Sequence, residues 1–136
     1  PLDGQAITQL GHVSDLAEAI AKSLETDTAI NQIYNCSGSK AVTFKGLIET
    51  AILATGNKVT NFNLRSFDPS KLDPKARKLF PLRLTNFFTD TSKIEKDLSW
   101  EPKFDLLNGL IDSYKNDYLL ANHEEVDFSS DEFLFD

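Results

Sequence analysis

Residues 90–114 read DTSKIEKDLSWEPKFDLLNGLIDSY, and this stretch constrains the fold more than any other part of the chain. Either Asp90 or Thr91 has the side-chain oxygen that typically caps a helix, and the apolar spacing continues through Leu98. The proline in residues 100–102 pushes the preceding residue away from helical angles. A short helix followed by a sharp turn is therefore predicted.

A second, longer helix is predicted to open at Asp105 and to run to about Asn122. Apolar side chains on one broad face define it. They are Leu106, Leu107, Leu110, Ile111, Tyr114 and Tyr118. We assign Trp100 a structural role, packed against this helix.

The N-terminal part begins with a short strand or turn at residues 7–13, followed by a helix to about Glu25. Leu16, Ile20 and Leu24 recur at four-residue spacing, which is typical of an apolar helix face. Asp15 with Glu18 three residues later has the pattern of a capping box. We expect Asp15 to serve structure rather than chemistry.

Two further strands and a helix are predicted in the middle of the chain. Residues 30–36 have the pattern of a short buried strand, and residues 58–64 that of an edge strand. Between them, Thr43 can cap a helix that Gly56 ends in a left-handed conformation. The fold class is therefore α/β, with few short strands and four to five helices.

Composition bounds the possibilities further. The chain has 136 residues, 40% apolar residues, a net charge of −7 and one cysteine, Cys36. One modest core, no disulfide framework, no metal cluster and no membrane partner are expected. We divide the chain into a folded part, 1–121, and an acidic tail, 122–136.

Positive charge is concentrated in residues 58–83, which hold seven of the fourteen basic residues and two acidic ones, a local balance of +5. Phe80 lies among them. Aromatic rings beside cations can stack unpaired bases while the cations meet phosphates. A solvated charged face, with phenylalanine in the core, explains the same pattern.

Three separated motifs resemble extended short-chain dehydrogenase/reductase proteins of the NAD-dependent epimerase/dehydratase kind. The first is Gly11-His12-Val13-Ser14-Asp15-Leu16-Ala17, and the second is Tyr34-Asn35-Cys36-Ser37-Gly38 with Val42-Thr43. The third is Asp90-Thr91-Ser92-Lys93 with Leu98, Trp100-Glu101-Pro102 and Gly109-Leu110. The resemblance implies the C-terminal part of a Rossmann-like fold, without its nucleotide-binding core.

The departures from that family limit the chemistry. Neither the Gly-x-x-Gly-x-x-Gly turn nor a Tyr-x-x-x-Lys pair occurs. We therefore assign no catalytic residue and no cofactor to this chain, although the full-length protein could bind NAD(P). Thr8 stands where nucleotide-sugar epimerases commonly carry a diphosphate-binding arginine, and Ser99 replaces the usual glycine before the tryptophan.

Within the family, four stretches resemble the stem-loop-binding branch of chloroplasts and cyanobacteria, in which epimerase-like folds bind RNA and some members cleave it. They are Thr8–Ala17, Val42–Leu47, Phe80–Phe88 and Phe104–Tyr114. This resemblance implies an RNA-binding function, with substrate recognition in a nucleotide-sugar epimerase or dehydratase as the alternative, and a purely structural dimerisation module as a third. The implied RNA-binding residues are Lys75, Arg77, Lys78, Phe80 and Arg83.

Thr8 and His12 are the residues that we expect to face a substrate. A ribonuclease that pairs His12 with His123 is disfavoured, because His12 is expected to be hydrogen-bonded at a strand end and His123 lies beside Glu124 and Glu125 at the edge of the tail. The expected partners are the protein's own N-terminal nucleotide-binding half, RNA, and a second copy of the chain. The expected location is a cyanobacterial cytoplasm or the chloroplast stroma.

Overall fold

The computed structural model describes residues 2–68, 71–72 and 85–121. Four α-helices lie in this part: α1 (Val13–Glu25), α2 (Phe44–Ala54), α3 (Ser92–Leu98) and α4 (Leu106–Asn116). Two strands, β1 (Ile7–Thr8) and β2 (Val42–Thr43), pair antiparallel. Short 3-10 turns cover Leu2–Gly4, Asp27–Ala29, Val59–Asn61 and Tyr118–Leu120. The predicted α/β class with few strands is confirmed.

The β1–β2 ribbon connects two groups of helices. In one group α1 lies against α3, and in the other α2 packs along α4. Residues 86–89 run beside β1, because the Phe87 amide donates to the Ile7 carbonyl (2.8 Å) and the Thr89 amide donates to the Gln9 side chain (2.8 Å). No helix among the described residues is long and apolar enough to cross a membrane.

The core centres on Trp100, of which 1% is exposed. It clusters with Ala19 of α1 and with Ile94 and Leu98 of α3. Its indole Nε1 donates to the Asp15 carbonyl at 3.0 Å. The structural role predicted for Trp100 is confirmed, but its buried neighbours are on α1 and α3 rather than on the last helix.

The capping box predicted for Asp15 is wrong. His12 is the N-cap of α1, and its Nδ1 accepts from the Ser14 amide (3.3 Å). The buried Asp15 carboxylate instead accepts from the backbone amides of Lys103 (3.0 Å) and Phe104 (3.2 Å). A distant backbone segment therefore takes the carboxylate that the local pattern assigned to the helix start.

Two strand predictions are also wrong. Residues 32–38 form no regular secondary structure and pair with no strand in the described part of the chain, and Ile33 is 88% exposed. Residues 59–61 form a 3-10 turn, and residues 63–68 are irregular. Because a strand is stabilised by hydrogen bonds to a neighbour, a sequence pattern cannot form one without a partner edge.

The helix boundaries are closer to expectation. Thr43 caps α2 by accepting from the Gly46 amide (3.0 Å), and Gly56 adopts φ +81°. At the start of α3, Asp90 accepts from the backbone amide and hydroxyl of Ser92. These bonds hold the pKa of Asp90 below its usual value. The last helix ends at Asn116, earlier than predicted, and a 3-10 turn follows.

Candidate binding site

A cavity of about 350 Å³ lies between residues 10–12, residues 38–40 and the first turns of α4. We call it the His12 cavity. Its wall combines apolar side chains with a few hydroxyl and charged groups. The residues used below are Leu10, Lys40, Thr50, Leu107, Leu110 and Ser113.

Three glycines allow the walls of the cavity to approach one another. A Cβ at Gly38 would lie 2.3 Å from the Leu10 carbonyl oxygen, which no side chain tolerates. A Cβ at Gly11 would lie 3.3 Å from the Ser37 Cα, and one at Gly109 would lie 3.4 Å from the His12 ring. The close approach of chain segments at these three glycines therefore shapes the cavity as much as the side chains in its wall do.

His12 forms part of the wall and joins three segments. Its side chain is 7% exposed, and its ring stacks on Phe104 with 3.9 Å between centroids. Nδ1 accepts from the Ser14 amide, so the neutral ring carries its proton on Nε2. Nε2 lies 3.3 Å from Asp112 Oδ2, at ion-pair distance but not aligned as a hydrogen bond.

This arrangement leaves His12 unsuited to general base catalysis, because its acceptor nitrogen is already engaged by the backbone of α1. Its ring instead ties the start of α1 to Phe104 and to α4. His123, the second histidine of the ribonuclease hypothesis, lies outside the described residues. His12 thus lines a cavity and helps to hold its walls together, and its role in facing a substrate stays a prediction.

Thr8 lies in β1 and is 8% exposed. It pairs with Val42 across the ribbon and does not line the His12 cavity. A buried hydroxyl cannot form the charged, bidentate contact by which arginine holds a diphosphate. The structure therefore does not bring Thr8 and His12 into one site.

Cys36 is a poor candidate for a nucleophile. Burial, and then the charge of Asp15, raise the pKa of its thiol. The reactive thiolate is consequently disfavoured near neutral pH. No group of three or more histidine, cysteine or carboxylate side chains suited to a metal ion occurs among the residues that the structure describes.

The predicted RNA-binding residues Lys75, Arg77, Lys78, Phe80 and Arg83 lie outside the described residues, as does the tail from 122 to 136. Three residues of this region were not predicted as site residues: Lys40, which lines the same cavity as His12, and Phe104 and Asp112, which contact His12. Phe104 and Asp112 lie within the quoted stretch Phe104–Tyr114, which is the one signal that could have drawn attention to their contacts with His12. Lys40 lies in none of the quoted motifs.

No model of a protein family matches this chain. It is 38% identical to the chloroplast stem-loop binding protein of 41 kDa b from Arabidopsis thaliana, over 98% of this chain and 35% of that protein. It is 32% identical to a probable GDP-L-fucose synthase 1 from Oryza sativa subsp. japonica, over 82% of this chain and 30% of that protein. The chain thus spans about a third of the length of the curated relatives it matches.

Among solved structures, dTDP-glucose 4,6-dehydratase from Bacillus anthracis in complex with NAD superposes with a TM-score of 0.61 and 19% identity. The match covers 87% of this chain and 34% of the dehydratase. At this identity the likeness concerns the fold alone. The six glycines of this chain include no dinucleotide-binding turn, so its own residues do not fit the NAD that the dehydratase contains.

Proposed function

We propose that this chain, which belongs to the extended short-chain dehydrogenase/reductase family and is homologous to the chloroplast stem-loop binding protein, is part of an RNA-binding protein of that fold. The observation that carries the proposal is the 38% identity over 98% of the chain. Under this proposal the protein acts in the chloroplast stroma or in a cyanobacterial cytoplasm.

The contact surface that we propose is the basic segment, residues 58–83, with Lys75, Arg77, Lys78 and Arg83 meeting phosphates and Phe80 stacking on a base. The remaining acidic surface cannot attract RNA on its own, since the whole chain carries −7. Binding by four or five cations releases counterions. Affinity should therefore fall by about a hundredfold over a fourfold increase in salt.

The second candidate is substrate recognition in a nucleotide-sugar epimerase or dehydratase. The likeness to the GDP-L-fucose synthase favours it. The buried and neutral Thr8 weakens this second candidate, because it cannot replace the arginine that would hold the diphosphate of a sugar nucleotide. Any NAD(P) of the whole protein would be held by residues outside this chain.

Fluorescence anisotropy of a labelled stem-loop RNA tests the RNA proposal at low and near-physiological salt. The variant replaces Lys75, Arg77, Lys78 and Arg83 by alanine. A charge-matched control replaces four helix lysines, Lys45, Lys93, Lys96 and Lys115, which are all exposed. We expect salt-sensitive binding that is lost in the first variant and largely kept in the second.

Absence of binding at low salt would overturn the RNA proposal. Equal losses in the two variants would show that net charge, rather than the basic segment, governs binding. Binding of a nucleoside diphosphate sugar by the unsubstituted chain, measured by calorimetry, would favour the second candidate.

The same proposal assigns a partner to the outer face of α1, where Ile20 is 54% and Leu24 is 83% exposed. Near this helix, the amides of residues 33–37 make no backbone hydrogen bond within the described residues. An apolar helix face next to a segment whose amides are unpaired within the described residues suits packing against a β-sheet. We assign this surface to the protein's own nucleotide-binding half.

In the isolated chain this uncovered surface should cause weak self-association. Light scattering across a range of concentrations measures it, with Ile20→Lys/Leu24→Lys as the variant and Leu119→Lys/Leu120→Lys as the control for equal charge. We expect the first pair to abolish association and the second to leave it unchanged. A monomer at every concentration would contradict the assignment.

A further inference from the structure

We infer that the His12 cavity receives one unpaired nucleobase of the bound RNA. This inference rests on the proposed RNA-binding function and deepens it, because it adds a base-binding pocket whose lining residues are not part of the basic segment. Four features of the cavity carry it: its size, its apolar walls, the hydroxyl groups among them, and a cation at its edge.

The size suits a single nucleoside. Pockets that hold small molecules span about 300–1,000 Å³. At about 350 Å³ the His12 cavity lies near the lower limit of that range, too small to enclose a dinucleotide. One base with part of its ribose is therefore the largest piece of RNA that it can surround.

The walls suit a flat, weakly polar group. Leu10, Leu107 and Leu110 line the cavity together with the stacked rings of His12 and Phe104. Apolar and aromatic surfaces hold the faces of a base, and stacking tolerates any base because each has a π-face. A sugar, which has hydroxyls on every side, would leave many hydrogen bonds unmet against these walls.

The polar groups suit the edges of a base and its phosphate. Thr50 donates its hydroxyl proton to the Gly46 carbonyl at 2.7 Å, so its oxygen can accept from an exocyclic amino group. Ser113 adds a second hydroxyl. Lys40 is exposed at the edge and makes no hydrogen bond or ion pair with the described residues, so it is free to meet a phosphate.

One carboxylate, that of Asp105, lies in the same lining as Lys40. Asp105 accepts from the Asn108 amide at 2.8 Å and from the Asn108 side chain at 3.0 Å. Its charge is thus directed at the start of α4. Lys40 remains the cation of this lining that can meet a phosphate, and together with the apolar walls it suits a nucleoside monophosphate.

A base inside a duplex cannot enter such a cavity without leaving its stack. The pocket should therefore favour the loop of a stem-loop over the stem. This gives the protein a means of discriminating loops that the cations of the basic segment, which meet only phosphates, cannot provide.

The first experiment follows backbone amides by proton–nitrogen NMR while adenosine 5′-monophosphate is added to the chain, with ribose 5-phosphate as the comparison. We expect the amides of Gly38, Lys40 and Gly109 to shift with the nucleotide and not with the sugar phosphate. Equal shifts with both probes would overturn the inference.

The second experiment uses Leu107→Glu, which places a carboxylate in the wall of the cavity. Its control is Leu120→Glu, the same change at a residue that is 76% exposed and does not line the cavity. We expect Leu107→Glu to weaken nucleotide binding at least about tenfold, as loss of one stacked base does. Equal affinities of the two variants would overturn the inference.

Anisotropy with a stem-loop and with a blunt duplex of the same stem separates this inference from the function on which it rests. We expect the unsubstituted chain to prefer the stem-loop about tenfold, and Leu107→Glu to lose that preference. Equal, salt-sensitive binding of both RNAs would overturn the pocket and leave the RNA function standing. No binding of either RNA at low salt would overturn both.

Discussion

Helix α1 buries a charged side chain and exposes large apolar ones, which is the reverse of an ordinary amphipathic helix. The inner face buries Asp15 and Ala19, with 2% and 4% exposed, against Trp100. The outer face leaves Ile20 and Leu24 in contact with water, with 54% and 83% exposed. Small and charged groups are inside, while large apolar groups are outside.

The difference fits the proposal that the inner face packs within the chain while the outer face meets a partner outside the described residues. The inner face is held by directional contacts within the chain, since Asp15 receives two backbone hydrogen bonds and its carbonyl receives a third. The outer face has the composition of a buried surface and nothing in the described chain to cover it. Substitutions on the two faces should therefore have very different effects on the stability of the isolated chain.

The largest effect is expected for Asp15→Ala. Removing the carboxylate leaves the partly buried amides of Lys103 and Phe104 without this acceptor, and hydrogen bonds to a charged group are worth more than neutral ones. We expect the free energy of unfolding in urea to fall by about 3 kcal/mol.

Glu25→Ala removes the same charge from the exposed end of the same helix. We expect it to change stability by less than about 0.5 kcal/mol. Similar losses in the two variants would mean that the charge on α1, and not the buried hydrogen bonds, determines the effect.

Trp100→Phe should have the next largest effect. The ring remains apolar, but the hydrogen bond to the Asp15 carbonyl is lost and the smaller side chain leaves a void. We expect a loss of about 2 kcal/mol in the same urea titration. An unchanged midpoint would contradict the role of this indole in joining α1 to the turn after α3.

Ser99→Gly is expected to stabilise the chain. Ser99 ends α3 with φ 47° and ψ 43°, in the left-handed region where a Cβ is strained. Glycine removes that strain, so thermal unfolding should move upward by the equivalent of about 1 kcal/mol.

Ser23→Gly, within α1, provides the contrast for that variant. There the backbone is helical and the hydroxyl donates to the Ile20 carbonyl at 2.7 Å. Glycine should destabilise this position by about 1 kcal/mol. A downward shift for both variants would rule out strain at Ser99.

The smallest effect is expected for Ile20→Lys/Leu24→Lys on the outer face. Because both side chains are already exposed, the free energy of unfolding of the isolated chain should change by less than about 0.5 kcal/mol. Calorimetric unfolding measures this. A loss comparable to that of Asp15→Ala would show that the outer face is packed within the chain itself.

The helices were largely predictable because their signals are local. The cap at Thr43, the left-handed Gly56 and the apolar spacing of Leu16, Ile20 and Leu24 all depend on residues within a few positions of one another. The strand prediction for residues 30–36 was wrong because pairing depends on a neighbour elsewhere. The helix predictions were confirmed because their signals are local, and the strand prediction was wrong because strand pairing depends on a distant segment.

The His12 cavity likewise combines residues that local motifs point to with contacts that depend on distant parts of the chain. Sequence motifs drew attention to His12 and to Gly109, but their contact needs α4 to lie against the start of α1 across nearly a hundred residues. The partnership of His12 with Phe104 and Asp112 depends on that approach, which glycines at three positions permit. A list of residue types could not supply it.

The sequence by itself determined the positions of the helices, the concentration of basic residues at 58–83, and the motifs that relate this chain to its family. Helix starts and charge clusters are properties of neighbouring residues, and those are visible in a linear pattern. The tertiary structure alone decided that Asp15 holds a distant backbone turn, that Thr8 is buried away from the His12 cavity, and that the apolar face of α1 meets water. Each of these depends on which segments approach one another, because burial and hydrogen-bond partners are set by contacts between residues far apart in the chain.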